Sequence, residues 1–342
     1  MNKKLIAAAV AGACIAPAAM AQTANPVTLY GRIYGTLESV EAKGGAAPVV
    51  RRNRVDDQSS LLGVRGTEDL GGGLKAFFQL ETAFRVDQNT TTFAARNSAV
   101  GLQGGFGSIF VGRWDMPFKT ATIAIDPYGD LTNSGIIGVL SDRGNFDVRA
   151  QNIVQYWTNN YSGFAARVAL GANEGKTATL NPRQNGANIT YSGGPLYAFV
   201  AWEEHRDVSA TLTKEEGLAV GASFVLPQIP VKLGAQYQEF KKTNLTKQKS
   251  YMANVVWSIG KNDLIYQYMN SKDGAASGAA QPDCSSNSVA WQYNFSKRTF
   301  FIASYVKVDN NDNATCNFGA NALTIAKGQD PQSVWTGLRH VF

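Results

Sequence analysis

Ser333 to Phe342, SVWTGLRHVF, shows most plainly what kind of chain this is. Taken as an extended strand, it puts Val334, Thr336, Leu338, His340 and Phe342 on one side and Arg339 on the other. A period of two produces that split; a helix cannot. Val334, Leu338 and Phe342 suit hydrocarbon, whereas Arg339 needs water, so this strand is expected to meet lipid on one face and a wet interior on the other. A lone strand of this kind leaves its edges unpaired in the membrane. The remainder of the chain must therefore supply enough strands to close a barrel.

Upstream, Val27 to Glu38 sets Val27, Leu29, Ile33 and Leu37 against Thr28, Tyr30, Arg32, Tyr34 and Thr36. Gly73 to Arg85 places Leu74, Ala76, Phe78, Leu80 and Phe84 on one face and Lys75, Gln79, Glu81 and Arg85 on the other. Similar stretches are predicted at 60–68, 94–103, 109–113, 152–158, 163–170 and 187–191. Others follow at 196–203, 218–226, 231–240, 250–258, 263–270, 288–295 and 299–308. With the final strand this makes about sixteen, a size expected for a large even-numbered barrel.

The connections between them alternate in length. Short turns rich in Gly, Pro or Asn fall near 69–73, 104–107, 192–195, 227–230 and 260–262. Long polar connections are expected at 41–58, 115–149, 274–286 and 310–332. In an up-and-down barrel the two sets belong to opposite ends, the short one periplasmic and the long one extracellular. The rival architecture is a β-sandwich or secreted solenoid with a dry core. Arg32, Arg65, Lys75, Arg96 and Arg167 stand at mid-strand, where a dry core tolerates them poorly and a watery lumen accepts them. Trp157, Trp202, Trp257, Trp291 and Trp335 are candidates for interfacial girdles or for a core.

Residues 1–21 read as a secretory signal: Lys3 and Lys4, an apolar run from Leu5 to Ala19, then Ala19-Met20-Ala21 before Gln22. The alternatives are a short membrane helix or a lipid-modified Cys14. Residues 22–342 form one domain without a linker. The signal carries two of the 32 basic residues and none of the 26 acids, so the formal charge of +6 falls to +4 without it. Export, and the lack of an arginine-rich helix or zinc-ligand spacing, argue against nucleic acid as a partner. The mean hydropathy of −0.18 resembles that of a soluble protein, and alternating strands hide from hydropathy in this way. His205 and His340 are the only histidines, which leaves little for a metal cluster or a Ser-His-Asp set, and no enzyme or cofactor is expected. Gly104 to Ile109 resembles a nucleotide loop but lies between strands, and reads as a turn.

Ser60 to Glu81, SLLGVRGTEDLGGGLKAFFQLE, resembles the second and third strands of Gram-negative general porins of the neisserial and β-proteobacterial type. VTLYGRIYG from Val27, VGLQGGFGSIFVGR from Val100, RAQNIVQYWTNNYSGFAARVAL from Arg149 and the closing GLRHVF extend the similarity over the whole mature chain. The resemblance implies a homotrimer of sixteen-stranded transmembrane antiparallel β-barrels in the bacterial outer membrane, with the third extracellular loop folded inward. Two departures stand out. Leu61 occupies a place where the family commonly has an arginine, which puts the strength of ion selection in question. Tyr156 to Tyr161 replaces a proline-containing turn.

The 115–149 connection is the candidate constriction loop, carrying Asp115, Asp126, Asp130, Asp142 and Asp147 against Lys119, Arg143 and Arg149. Facing it, Arg32, Arg65, Lys75, Arg85, Arg96 and Arg113 are expected on inward faces of the first five strands or at their ends. Acids on one side and bases on the other would set up a transverse field across the narrowest point. The bland alternative is local pairing with Glu38, Glu68, Asp69 and Glu81. Cys284 and Cys316 flank the last hairpin and are either a disulfide or two free thiols. The Arg51, Arg52, Arg54 cluster and the Lys241, Lys242, Lys247, Lys249 cluster are expected in outer loops, either touching lipopolysaccharide phosphates or merely solvated. Phe342 is the expected signal to the barrel-assembly machinery.

The function expected from these features is passive diffusion of small hydrophilic solutes and ions through a water-filled channel with weak to moderate anion preference. A substrate-specific channel and a surface adhesin or receptor barrel are the alternatives.

Overall fold

The computed structural model describes residues 27–342 apart from 46, 90, 130–131 and 209–212; the expected signal, 1–21, lies outside the described residues. Its extended segments begin with Thr28–Lys43 (β1), Val49–Asp57 (β2), Leu61–Gly71 (β3), Leu74–Phe84 (β4), Thr91–Thr92 (β5) and Ser98–Gly104 (β6). Next come Gly107–Asp115 (β7), Arg149–Trp157 (β8), Phe164–Gly171 (β9), Arg183–Gly193 (β10), Leu196–Arg206 (β11) and Lys214–Val225 (β12). The last are Val231–Lys242 (β13), Gln248–Ile259 (β14), Asn262–Lys272 (β15), Asp283–Asn294 (β16), Thr299–Asn310 (β17) and Asp330–Val341 (β18). Among the described residues one α-helix, Pro117–Thr122 (α1), follows β7, and a short 3-10 helix spans Ile136–Gly138.

Each strand pairs antiparallel with its neighbour, and β1 closes the sheet on β18 with Arg32 opposite Val341 and Lys43 opposite Asp330. The other edge of β1 pairs with β2 from Gly35 to Ala42 and with β3 from Thr28 to Arg32. These two segments are one strand, broken around Ser59, whose φ is 71°. By the same argument β5 and β6 continue one another along β4. Eighteen segments thus make sixteen strands of a closed barrel, and closure satisfies every edge that lipid would leave bare.

Alternation sets the two faces. Leu29, Ile33 and Leu37 are exposed on the outside, whereas Tyr34, Thr36 and Glu38 are buried within. Phe78 and Leu80, then Val334, Leu338 and Phe342, continue the outer apolar surface. The backbone of Phe342 exchanges two hydrogen bonds with Gly31, at 3.1 and 3.0 Å, beside the end formed by the short turns.

The molecule departs from the expected layout in several places. The 41–58 stretch is no long loop: β1 runs to Lys43, β2 starts at Val49, and Arg51, Arg52 and Arg54 therefore stand on a strand. Trp335 is no girdle residue; it points inward at 1% exposure. Trp157 also packs internally, against Phe110 and Trp114. Trp202, Trp257 and Trp291 are exposed on the outer face.

Candidate functional site

Among the described residues, the 115–149 segment has no strand between Met116 and Val148. Burial is its driving force: Phe118, Ile136, Val139, Leu140 and Phe146 are each 0% exposed. They cluster with Phe199, Ala201, Ala219, Phe240, Met252 and Met269. These strand residues alternate with the exposed Val200, Leu218, Val220 and Tyr251, so the segment lies against the inner face of β11 to β15. Phe146 stacks on His205 with centroids 4.5 Å apart and meets Phe240 at 4.7 Å.

A backbone laid on a wall must still satisfy its carbonyls. Amide side chains do this on β10, β13, β14 and β15. Asn188 Nδ2 donates to the Pro117 carbonyl at 2.6 Å, and Gln236 Nε2 to that of Thr122 at 3.4 Å. Asn254 Nδ2 donates to Ile125 and Gln267 Nε2 to Ser134, both at 3.1 Å. In the other direction, the Ser141 N–H donates to Gln238 Oε1 at 2.7 Å and the Asn133 N–H to Gln58 Oε1 at 2.9 Å. None of these amides stands out in the sequence, because inward Asn and Gln are what any wet wall shows. The 310–330 connection adds a cover, with Asn317 N–H donating to the Gly138 carbonyl at 3.3 Å. Glycine is required there: a Cβ on Gly138 would meet the Asn317 carbonyl oxygen at 2.2 Å.

The acids of the segment are held locally. Asp115 pairs with Arg149 at 2.8 Å, Asp147 with Lys119 at 3.0 Å, and Lys242 donates to Asp142 at 2.6 Å. Asp126 accepts the N–H groups of Tyr128 and Ile136, each at 3.0 Å. Asp130 lies outside the described residues. Arg143 reaches Asp273 at 2.6 Å; burial pushes the Asp273 carboxyl up, and the guanidinium opposes that rise. Among the described residues, the acids Asp115, Asp126, Asp142 and Asp147 are thus engaged by near neighbours rather than left facing an open gap.

The bases divide. Arg85 bonds Asp56 at 2.6 Å and Asp87 at 2.8 Å, and Arg96 bonds Glu81 at 2.6 Å, so both are locally neutralised. Arg113 corrects the expectation of an inward face. It pairs with Ser98 on the parity of Val100 and Val111, which is the outward face, just before a register shift between Gly112 and Trp114. Arg32 faces inward and is fixed by Ser59 through its carbonyl at 2.7 Å and hydroxyl at 2.6 Å. Arg65 and Lys75 face inward and are exposed. Three inner guanidiniums lie over aromatic rings: Arg65 over Tyr30 at 4.9 Å, Arg167 over Trp157 at 4.3 Å and Arg339 over Phe300 at 5.3 Å. Among the described residues, none of these three has a carboxylate within ion-pair distance. Asp263, on the same inner surface, is hydrogen-bonded by Ser258, Gln292 and Asn294.

Cys284 and Cys316 form a disulfide, with Cα atoms 6.3 Å apart. It joins the start of β16 to the 310–330 connection. Lys241, Lys247, Lys249 and Lys272 stand near one end of β13 to β15, whereas Lys242 turns inward to Asp142.

A closed sixteen-stranded barrel with an apolar outside and a guanidinium-bearing interior defines an integral outer-membrane β-barrel protein. The chain belongs to the Gram-negative porin family, whose model matches residues 7–313. It is 30% identical over 364 residues to outer membrane porin protein 32 of Delftia acidovorans, covering 100% of both chains. Major outer membrane protein P.IB of Neisseria meningitidis is 28% identical over 315 residues, covering 89% of this chain and 92% of that one. Among solved structures, an anion-selective porin from Comamonas acidovorans superposes with a TM-score of 0.79 at 27% identity, covering 93% of this chain and 100% of the other. A Vibrio cholerae outer membrane protein in its trimer form shares the fold, with a TM-score of 0.70 at 16% identity over 93% of this chain and 100% of that one.

Proposed function

We propose that this porin is a passive channel for small hydrophilic solutes, works without a chemical step, prefers anions and assembles as a homotrimer. One observation carries the preference. Arg65, Arg167 and Arg339 lie on the inner wall without ion-pair partners among the described residues, while Asp115, Asp142 and Asp147 are each engaged by a base. The screening length is about 8 Å at physiological salt, so a guanidinium acts on ions across much of a narrowed lumen. The 115–149 segment, anchored along β10 to β15, supplies the narrowing. Leu61, where the resemblance implies an arginine, leaves the preference moderate rather than strong.

The trimer is supported by the trimer form of the Vibrio cholerae relative in fold, and anion preference by the likeness to the anion-selective porin from Comamonas acidovorans. Lipopolysaccharide is the partner proposed for the outer lysines, and the assembly machinery for the Phe342 strand. Purified protein in a planar bilayer under a potassium chloride gradient tests the reading. A reversal potential displaced toward the chloride equilibrium value is expected; displacement toward potassium, or no conductance, overturns it.

A further inference from the structure

The geometry points to a binding site for aromatic carboxylates on the inner wall, built by Arg339, Phe300, Tyr34, Arg32 and Tyr128. It rests on the reading of the protein as a channel and names a solute class for it. A cavity of about 260 Å³ lies between these wall residues and Asp126, Pro127, Tyr128, Gly129 and Thr132 of the inner segment. Ligand pockets span roughly 300 to 1,000 Å³, so a cavity just below that range takes one ring with its carboxylate and little more.

Register makes the wall a single row. Tyr34 stands opposite Arg339, and Arg339 opposite Phe300. The Tyr34 and Phe300 rings meet edge to face at 5.6 Å, and the Arg339 guanidinium lies over Phe300. Arg339 has no ion-pair partner among the described residues, and its buried Nε has no acceptor. A guanidinium flanked by rings is weakly hydrated and keeps its planar fork available for a carboxylate. Arg32 stands two residues along the same face from Tyr34, held in place by Ser59.

Ile302 and Pro127 complete an apolar lining beside the bases. Asp126 also borders the cavity, with both carboxylate oxygens accepting backbone N–H groups of its own segment. A bare small anion satisfies the guanidiniums and leaves Phe300, Ile302 and Pro127 wetted. A benzoate-like solute covers both kinds of surface at once.

Chloride current through single channels in a planar bilayer, titrated with sodium benzoate, sodium acetate or benzyl alcohol, tests this. Benzoate is expected to reduce the current saturably, with half-block at least tenfold below that of acetate, and benzyl alcohol to have little effect. Phe300→Leu is expected to raise the half-blocking concentration of benzoate severalfold and leave that of acetate unchanged; Arg339→Gln is expected to raise both. Equal block by benzoate and acetate, equal block by benzyl alcohol, or a Phe300→Leu effect on both anions alike overturns the site. The comparison of solutes on the unsubstituted protein decides the matter if either variant fails to assemble. Normal chloride current without discrimination overturns the site alone, whereas absence of current overturns the channel reading with it.

Discussion

Phe146→Ala should free the inner segment without opening the barrel. Phe146 is 0% exposed and lies among Phe118, Phe240 and His205, with ring centroids at 5.8, 4.7 and 4.5 Å. Replacing a buried phenylalanine by alanine costs about 3 to 5 kcal/mol. Each aromatic pair accounts for roughly 0.5 to 1.5 kcal/mol beyond area burial, so three lost pairs place this site in the upper half of that range. The cost falls on the contact between segment and wall, since the sheet hydrogen bonds of β11 and β13 do not pass through this side chain. At about 1.4 kcal/mol per power of ten, the detached population rises by roughly two to four powers of ten. Trypsin provides the assay, because Lys119, Arg143 and Arg149 lie in or beside the segment. When opening and closing are fast, cleavage tracks the open population. Cleavage between 115 and 149 is expected to accelerate at least a hundredfold, with noisier single-channel current and an intact barrel by heat-modifiable mobility. Unchanged resistance and unchanged noise would refute the claim that burial holds the segment.

Other perturbations follow from the same geometry. Cys284→Ser should remove about 3 to 4 kcal/mol in the chain-entropy model for a separation of 32 residues, and reductant should slow electrophoretic migration of the unsubstituted chain; mobility indifferent to reductant refutes the bridge. Asn254→Leu leaves the Ile125 carbonyl without its donor at about 1 to 3 kcal/mol, read as earlier segment cleavage by the same protease. Val220→Arg places a charge on the lipid face in mid-strand and should cost roughly 2 to 4 kcal/mol in refolding titrations; a neutral result would mean that Val220 does not meet hydrocarbon.

The barrel is readable in the sequence wherever one face meets hydrocarbon, since lipid enforces alternation: Leu29, Ile33 and Leu37, or Val334 and Leu338, appear at once. Where β1 runs on to Lys43 and β2 begins, Ser39, Glu41, Lys43, Arg51 and Asn53 replace apolar residues on the outer face, the constraint lapses, and a strand reads as a loop. Trp335 shows the converse. An inward aromatic is unexpected in a wet lumen, but the segment turns part of that lumen into a core, and Trp335 Nε1 donates to Ser134 at 3.4 Å. The segment itself is evident from its length. Its anchors are not, because Asn188, Gln236, Asn254 and Gln267 differ from ordinary lumen polar residues only in what lies opposite them. Arg113 is a plainer miss: counting by twos from the outward Val111 already places it outward, and its basic character alone suggested the lumen.

If unpaired guanidiniums on the inner wall set the sign of ion selection, removing them must change that sign or erase it. The decisive quantity is the reversal potential of the triple variant Arg65→Gln, Arg167→Gln, Arg339→Gln, measured beside the unsubstituted channel in the same salt gradient. The unsubstituted protein is expected to give an anion-side potential that collapses toward zero or changes sign in the variant. An unchanged anion-side potential in a variant that still conducts would show that these guanidiniums do not govern selection.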